Sequence, residues 1–239
     1  MTVSRVIYDF GANNGDDIGY YLKKADCVVA VEASPTLCSM IEARFAREIA
    51  ERRVFVLCCV ITAGEQEGPV PFYLHKTNHV LSQFPAPSID AAHMFEEVLL
   101  PALSPDRIIE TYGVPHYIKI DLEHYDAEIL RSLFTHGIFP DYISAESHSI
   151  EVFCLLAALG NYKAFKLVNG PSVGTLYANH LINTRSGVQA HSFPIHSAGP
   201  YGDDIPGPWL SATGLFRQLA TVGLGWKDIH ASRVDRALD

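Results

Sequence analysis

The run Val6-Ile7-Tyr8-Asp9-Phe10-Gly11-Ala12-Asn13-Asn14-Gly15-Asp16-Asp17 constrains the fold more than any other part of this chain. It reads as a buried strand ending in an acid, then a glycine turn, then a helix start. Seventeen residues after Gly15, a second apolar run, Cys27 to Val31, ends in Glu32. A strand, a glycine turn, a helix and a second strand closed by an acid form the layout of a nucleoside-cofactor site. That site belongs to a doubly wound α/β domain.

The rest of the first half alternates in the same way. Ser34-Pro35 supplies a cap and a first-turn proline for a helix whose apolar positions are Leu37, Ile41, Phe45 and Ile49. Arg53 to Ile61 reads as a third strand, apolar enough to be covered on both faces. Val70 to His75 reads as an extra strand. The proline-rich stretch up to Pro115 carries one predicted helix, Ile89 to Leu100. Tyr117 to Leu122 and Asp141 to Glu146 are predicted core strands, separated by a helix over about 126–135. Tyr162 to Val168 and a segment near Gly174 to Leu181 are the predicted last two strands. The expected organisation is one domain over 1–239. It has an insertion over the active edge at 70–116 and a loop-rich C-terminal extension or lid at 184–239.

A formal net charge of -9 argues against a nucleic-acid or anionic-membrane partner. Five cysteines, an odd number, suit free thiols in a reducing compartment. Cys27, Cys58, Cys59 and Cys154 lie in apolar runs and are expected to pack in the core. The first strand begins at once and no apolar run reaches membrane-spanning length, so the expected location is the cytoplasm.

The glycine turn narrows the cofactor. A dinucleotide fingerprint requires Gly-x-Gly-x-x-Gly, and here Asn13 stands at the middle glycine. An NAD-dependent oxidoreductase is therefore the weaker alternative. A cofactor with an amino-acid tail and no phosphate suits the turn better. Gly11 permits close backbone approach, Asp9 is placed to receive a cationic amine, and Glu32 offers two oxygens to the ribose hydroxyls.

Three motifs in order resemble the FkbM family of class I S-adenosylmethionine-dependent methyltransferases. They are Asp9 to Gly15, Val29-Ala30-Val31-Glu32-Ala33-Ser34-Pro35, and Ile118-Lys119-Ile120-Asp121-Leu122-Glu123-His124. The resemblance spans residues 3–168. It implies a Rossmann-like α/β sheet of seven strands, mostly parallel, with one reversed edge strand. It also implies methyl transfer to a hydroxyl of a saccharide or a natural-product-like small molecule, with S-adenosylmethionine as cofactor. Under it, Asp9, Gly11 and Gly15 surround the methionine part, with Ala12, Asn13 and Asp121 beside them. Glu32 binds ribose, flanked by Ala33 and Ser34, and Ile61 or Thr62 lies by the adenine. Asp16 and Asp17 complete this set, or simply cap the following helix.

Removing a proton from an aliphatic hydroxyl requires a base or a divalent cation. The predicted fourth and fifth strands end in Asp121-Leu122-Glu123-His124 and in Glu146-Ser147-His148, five ionisable groups at two strand ends. In one reading His124 or His148 is the general base, oriented by Glu123 or Glu146. In the other, Asp121, Glu123 and Glu146, with a histidine, hold a divalent cation. The family usually has glycine where this chain has His124, a departure that reads as a substrate contact particular to this chain. Lys119, inside a strand, is expected to pair with a nearby carboxylate. A polar, proline-stiffened loop around His191 to Asp204 suits an acceptor pocket, with Trp209 as a possible sugar platform. His75, Asn78 and His79 are further acceptor-side candidates. A non-catalytic binding module on the same scaffold is the remaining alternative. The sequence does not indicate an oligomeric state.

Overall fold

The computed structural model describes residues 5–66, 68–235 and 238. The predicted first strand starts at Val3, which lies outside the described residues. In chain order the first half contains β1 (Val6–Phe10), α1 (Ile18–Tyr21), β2 (Cys27–Glu32), α2 (Pro35–Arg44), α3 (Ala46–Ala50), β3 (Val54–Cys58), β4 (Val60–Ile61), β5 (Val70–His75), β6 (Phe95–Leu100), β7 (Ala102–Leu103) and α4 (Pro105–Tyr112). The second half contains β8 (Pro115–Ile120), α5 (Asp126–Thr135), β9 (Tyr142–Ser147), α6 (Ile150–Cys154), β10 (Ala164–Asn169), α7 (Val173–Leu176), β11 (His180–Thr184), β12 (Gly187–His191), α8 (Ala212–Val222) and β13 (Gly225–Ser232).

Seven strands form the main sheet in the order β3-β2-β1-β8-β9-β13-β10. The five from β3 to β9 are mutually parallel. β13 is the one reversed strand, antiparallel to both β9 and the outermost strand β10. This is the expected doubly wound, Rossmann-like α/β sheet. All five residues of β1 are buried, because layers cover both sheet faces. Tyr8, Phe10, Val29 and Val31 pack on one side with Ile108 of α4, Ile129 and Leu133 of α5, and Leu215 and Leu219 of α8. Ile7, Val28 and Ala30 pack on the other with Ile18, Tyr20 and Tyr21 of α1 and with Ile41 of α2.

Several helix ends follow local chemistry. α2 starts at Pro35 after an extended Ser34, as expected, but a break at Phe45 divides the predicted single helix into α2 and α3. α5 buries Ile129, Leu130, Leu133 and Phe134 as its spacing predicts, and Gly137 after it adopts φ +73°.

Three predicted segments turn out differently. Residues 89–100 are not a helix: Ile89 is 94% exposed, and Phe95–Leu100 is β6, paired antiparallel with β5. The stretch near 174–181 adds no strand to the seven-stranded sheet: it contains α7 and the start of β11, which pairs with β12. The last sheet strand is β13, so the segment 184–239, expected to be loop-rich, contributes α8 and an interior strand to the core. Of the cysteines, Cys38 and Cys59 are buried, whereas Cys58 and Cys154 are exposed. No described helix is long and apolar enough to cross a membrane.

Candidate functional site

The chain runs from β1 outward to β2 and β3, then crosses back to β8 on the other side of β1. Such a reversal opens a crevice at the carboxyl ends of the strands. A cavity of about 500 Å³ lies there. Its walls include Gly11, Asn13, Val31, Glu32 and Ala33 on one side, Asp121, Leu122, Glu123, Glu146 and His148 on another, and Ile61. That volume is in the range of small-molecule sites.

The glycine turn is built by contacts between strand ends. Gly11 has φ +82°, and a Cβ there would stand 1.9 Å from the Asp121 carbonyl oxygen. Its N–H donates to the Val31 carbonyl at 2.9 Å. Gly15 has φ +77° and packs against Ile18, Ile41 and Phe45, which fastens the turn to α1 and α2.

Glu32 closes β2 with its side chain on the cavity. One oxygen accepts from the Asn13 N–H at 2.8 Å and the other from the Ser34 N–H at 2.8 Å. These bonds fix the carboxyl group and leave further lone pairs for a ligand. Burial pushes its pKa up to about 7, against the lowering effect of the Ser34 and Asn13 amides.

Lys119 is buried under the turn. Its ammonium lies 3.3 Å from Asp9 Oδ1 and 3.3 Å from Asp121 Oδ2, and donates to the Gly11 carbonyl at 2.6 Å. The predicted ion pair is present, and it engages the Asp9 carboxylate that was expected to take a cationic amine. Asp9 is not on the cavity wall. Burial raises its pKa, opposed by Lys119.

Gly11, Asn13, Glu32, Ala33, Ile61 and Asp121 of the expected cofactor set line the cavity. The structure does not bring Asp9, Ala12, Gly15, Asp16, Asp17 or Ser34 to that wall. Asp17 is buried, accepting from the Ser197 hydroxyl and from the Ala198 N–H at 2.9 Å. Asp16 pairs with Arg44 at 2.8 Å. Ser34 contributes its N–H to Glu32, and Thr62 is buried with its hydroxyl on the Gly64 carbonyl.

The five ionisable groups after β8 and β9 do converge. His148 Nε2 lies 2.6 Å from Glu146 Oε2. The His124 and His148 ring centroids are 4.2 Å apart. Glu123 and His124 both have left-handed backbones, with φ +43° and +71°. Burial, then Asp121 and Glu146, raise the Glu123 pKa to about 8. Burial and then the neighbouring His148 lower that of His124, whereas contact with Glu146 raises that of His148. Asp126 sits behind them, accepting from the Glu146 N–H at 3.2 Å, with burial lifting its pKa to about 7.

These acids carry a pH prediction. Glu32, Asp126 and Glu123 titrate near 7, 7 and 8 in the folded protein, against ordinary values of 4.5, 3.8 and 4.5. Between those limits the folded state binds more protons than the unfolded chain. Their contribution to stability is complete below about pH 4 and is lost as pH rises through 7 to 8. Urea midpoints should therefore fall from pH 5 to pH 8, and Glu32→Gln should flatten the slope. A midpoint that climbs over that interval would show these acids ionised throughout it.

Sequence reasoning missed much of the opposite wall. Phe72 of β5, the segment from Asn78 to Phe84, Tyr125 and Trp226 all line the cavity. Asn78, His79 and His196 were among the candidates and do reach it, whereas His75 does not. Trp209 is buried away from it, its Nε1 donating to Asp203 at 3.1 Å. Asp228 of β13 is buried opposite Glu146 in the sheet register. The signal available for Trp226 was the strand in which it is the second residue, masked by the polar residues Lys227, Asp228 and His230.

Comparisons complete the description. No protein-family model matches the chain. No curated protein matches it in sequence. Among solved structures it is similar to a methyltransferase FkbM from Methylobacillus flagellatus, with TM-score 0.45 and 17% identity over 70% of this chain and 40% of that one. It is also similar to a precorrin-6y C5,15-methyltransferase from Geobacter metallireducens, with TM-score 0.44 and 11% identity over 98% of this chain and 83% of that one. A SAM-dependent O-methyltransferase from Thermotoga maritima gives TM-score 0.43 and 9% identity over 99% of this chain and 62% of that one. At such scores and identities the likenesses do not bear on activity. The fold rests on the strand order itself.

Proposed function

We propose that this chain is an S-adenosylmethionine-dependent O-methyltransferase of FkbM type, acting in the cytoplasm on a hydroxyl of a saccharide or related small molecule. The observation that carries the reading is Glu32, an acid fixed by two backbone N–H groups at the end of β2 and facing a cavity at the strand reversal. It suits the paired hydroxyls of a ribose. The apolar wall of Val31, Leu37, Val60 and Ile61 suits a nucleobase. A pyrophosphate fits the turn poorly. The Asn13 N–H is already given to Glu32, α1 has only four residues, and two acids precede it.

Bound S-adenosylmethionine would supply an electrophilic methyl group for in-line displacement. The chain then has to hold the acceptor oxygen in line and take up its proton. Glu123, Glu146 and His148 line the same cavity as Glu32, with His124 beside His148, and this group serves that role. Asn78 to Phe84 and Trp226 shape the acceptor side, which supports reading 70–116 as a specificity insertion.

Calorimetric titration with S-adenosylmethionine and with NAD tests this. Wild type should bind the first at micromolar strength. Glu32→Ala should weaken binding roughly 10- to 100-fold, the loss of one charge-assisted hydrogen bond at about 1.5–3 kcal/mol. Near-UV circular dichroism checks that the variant is folded. A folded wild type that binds no S-adenosylmethionine would end the assignment, in favour of an oxidoreductase if NAD binds and of a binding module if neither does.

A further inference from the structure

Glu123, His124 and His148 each offer a ligand atom, and the three atoms all lie within 4.8 Å of one another. We propose that they form a binding site for a divalent transition-metal ion at the edge of the cavity. The ion's role toward an acceptor hydroxyl rests on the methyltransferase reading; its binding does not.

Three features favour an ion over a chance cluster. The first is the backbone. Glu123 and His124 are consecutive non-glycine residues with φ +43° and +71°. Such a residue carries backbone strain and persists where surrounding structure holds it. Here the strained turn places both side chains beside His148. The second is charge: a Glu146 oxygen lies 2.6 Å from His148 Nε2, so a second carboxylate stands beside the cluster and favours a cation there. The third is access. Glu123 and His148 line the cavity, so the remaining coordination positions face the space an acceptor would enter.

The donor set selects the ion class. Two imidazoles and one carboxylate suit zinc, cobalt or iron(II) with open positions. Magnesium favours an all-oxygen shell and keeps its waters. The oxygen set expected from the sequence, Asp121, Glu123 and Glu146, is not assembled for it. Asp121 is paired with Lys119, and Glu146 with His148. Zinc at the site would take an oxygen of a hydroxyl-bearing acceptor in an open position and favour the anionic form of that oxygen.

The test uses purified full-length chain stripped with EDTA and then dialysed. It is titrated with Zn²⁺ by calorimetry and with Co²⁺ by visible absorption, with Mg²⁺ as control. Saturable binding of one equivalent of Zn²⁺ and Co²⁺, with Mg²⁺ silent, is the expected result. His148→Ala should weaken Zn²⁺ binding roughly 100-fold. His124→Gly is the informative variant, because glycine adopts φ +71° without strain. It should unfold no more readily than wild type and still lose Zn²⁺ affinity and the cobalt spectrum. Wild type without saturable binding, or His124→Gly binding Zn²⁺ undiminished, would overturn the proposal. S-adenosylmethionine is titrated against the same stripped sample. Its binding without Zn²⁺ binding sinks the metal site alone, and the reverse sinks the methyltransferase reading alone.

Discussion

Lys119→Met should destabilise the protein by about 3–5 kcal/mol, read from urea unfolding. The lysine is buried between Asp9 and Asp121 and bonds the Gly11 carbonyl. Methionine keeps most of the volume and removes the charge. What remains is Asp9, buried with its counter-ion gone, and Asp17 is close enough to raise the cost further. A loss of that size is a large part of the 5–15 kcal/mol that holds a typical domain together, so a partly unfolded population at 37 °C is expected. The double variant Asp9→Asn, Lys119→Met should recover part of the loss, because it removes both partners. A single variant within about 1 kcal/mol of wild type would show that the network contributes little.

Gly11→Ala should be of similar severity for a different reason. The new methyl would lie 1.9 Å from the Asp121 carbonyl oxygen, and the residue would have to hold φ +82°. The obstacle is backbone, so no side-chain rotation relieves it. Left-handed strain of about 1–3 kcal/mol and an overpacking cost of about 1–3 kcal/mol together predict a loss of about 2–6 kcal/mol. The turn must spring apart at the cavity floor, so any surviving folded protein should lose cofactor binding as well. Gly19→Ala is the control: nothing lies within 4 Å of its Cβ position, and it should be nearly silent. An alanine at position 11 with wild-type stability and binding would mean that the contact between the ends of β1 and β8 is looser than described.

The parts legible in the sequence share one property: the local pattern and the tertiary environment demand the same residues. β1 and β2 are apolar but for one acid each, Asp9 next to the last residue of β1 and Glu32 the last of β2, because both faces are covered. Lys119 was recognisable as half of an ion pair because an isolated lysine in a buried strand has few other solutions. Phe95–Leu100 was misread because Glu96, Glu97, Leu99 and Leu100 favour a helix in isolation, whereas pairing with β5 decides the matter. β13 was missed because Asp228 and His230 look like surface residues. Both are buried, lodged between β9 and β10, so the polar pattern hides an interior strand. The wall from Asn78 to Phe84 has no periodicity to read. It is placed by the backbone bonds between Tyr73 and Gln83 and by Phe84 against the Tyr125 ring. Position alone suggests ligand contact for Asp9, and ligand contact or helix capping for Asp17, yet Asp9 faces Lys119 and Asp17 accepts from Ser197 and Ala198.

β5 and β6 pair with each other as a two-stranded sheet apart from the seven-stranded one. The hairpin has its own small core of Val60, Val70, Phe72 and Leu100. One face of the cavity therefore belongs to the rigid sheet and the other to a panel that can be redrawn without disturbing the sheet's register. Substitutions, or even a change of length, between Asn78 and Phe84 are open to selection at little cost in folding, while Gly11, Glu32 and Lys119 are not. If the chain is a methyltransferase as proposed, a lineage carrying it would be expected to change what it accepts much faster than what it donates.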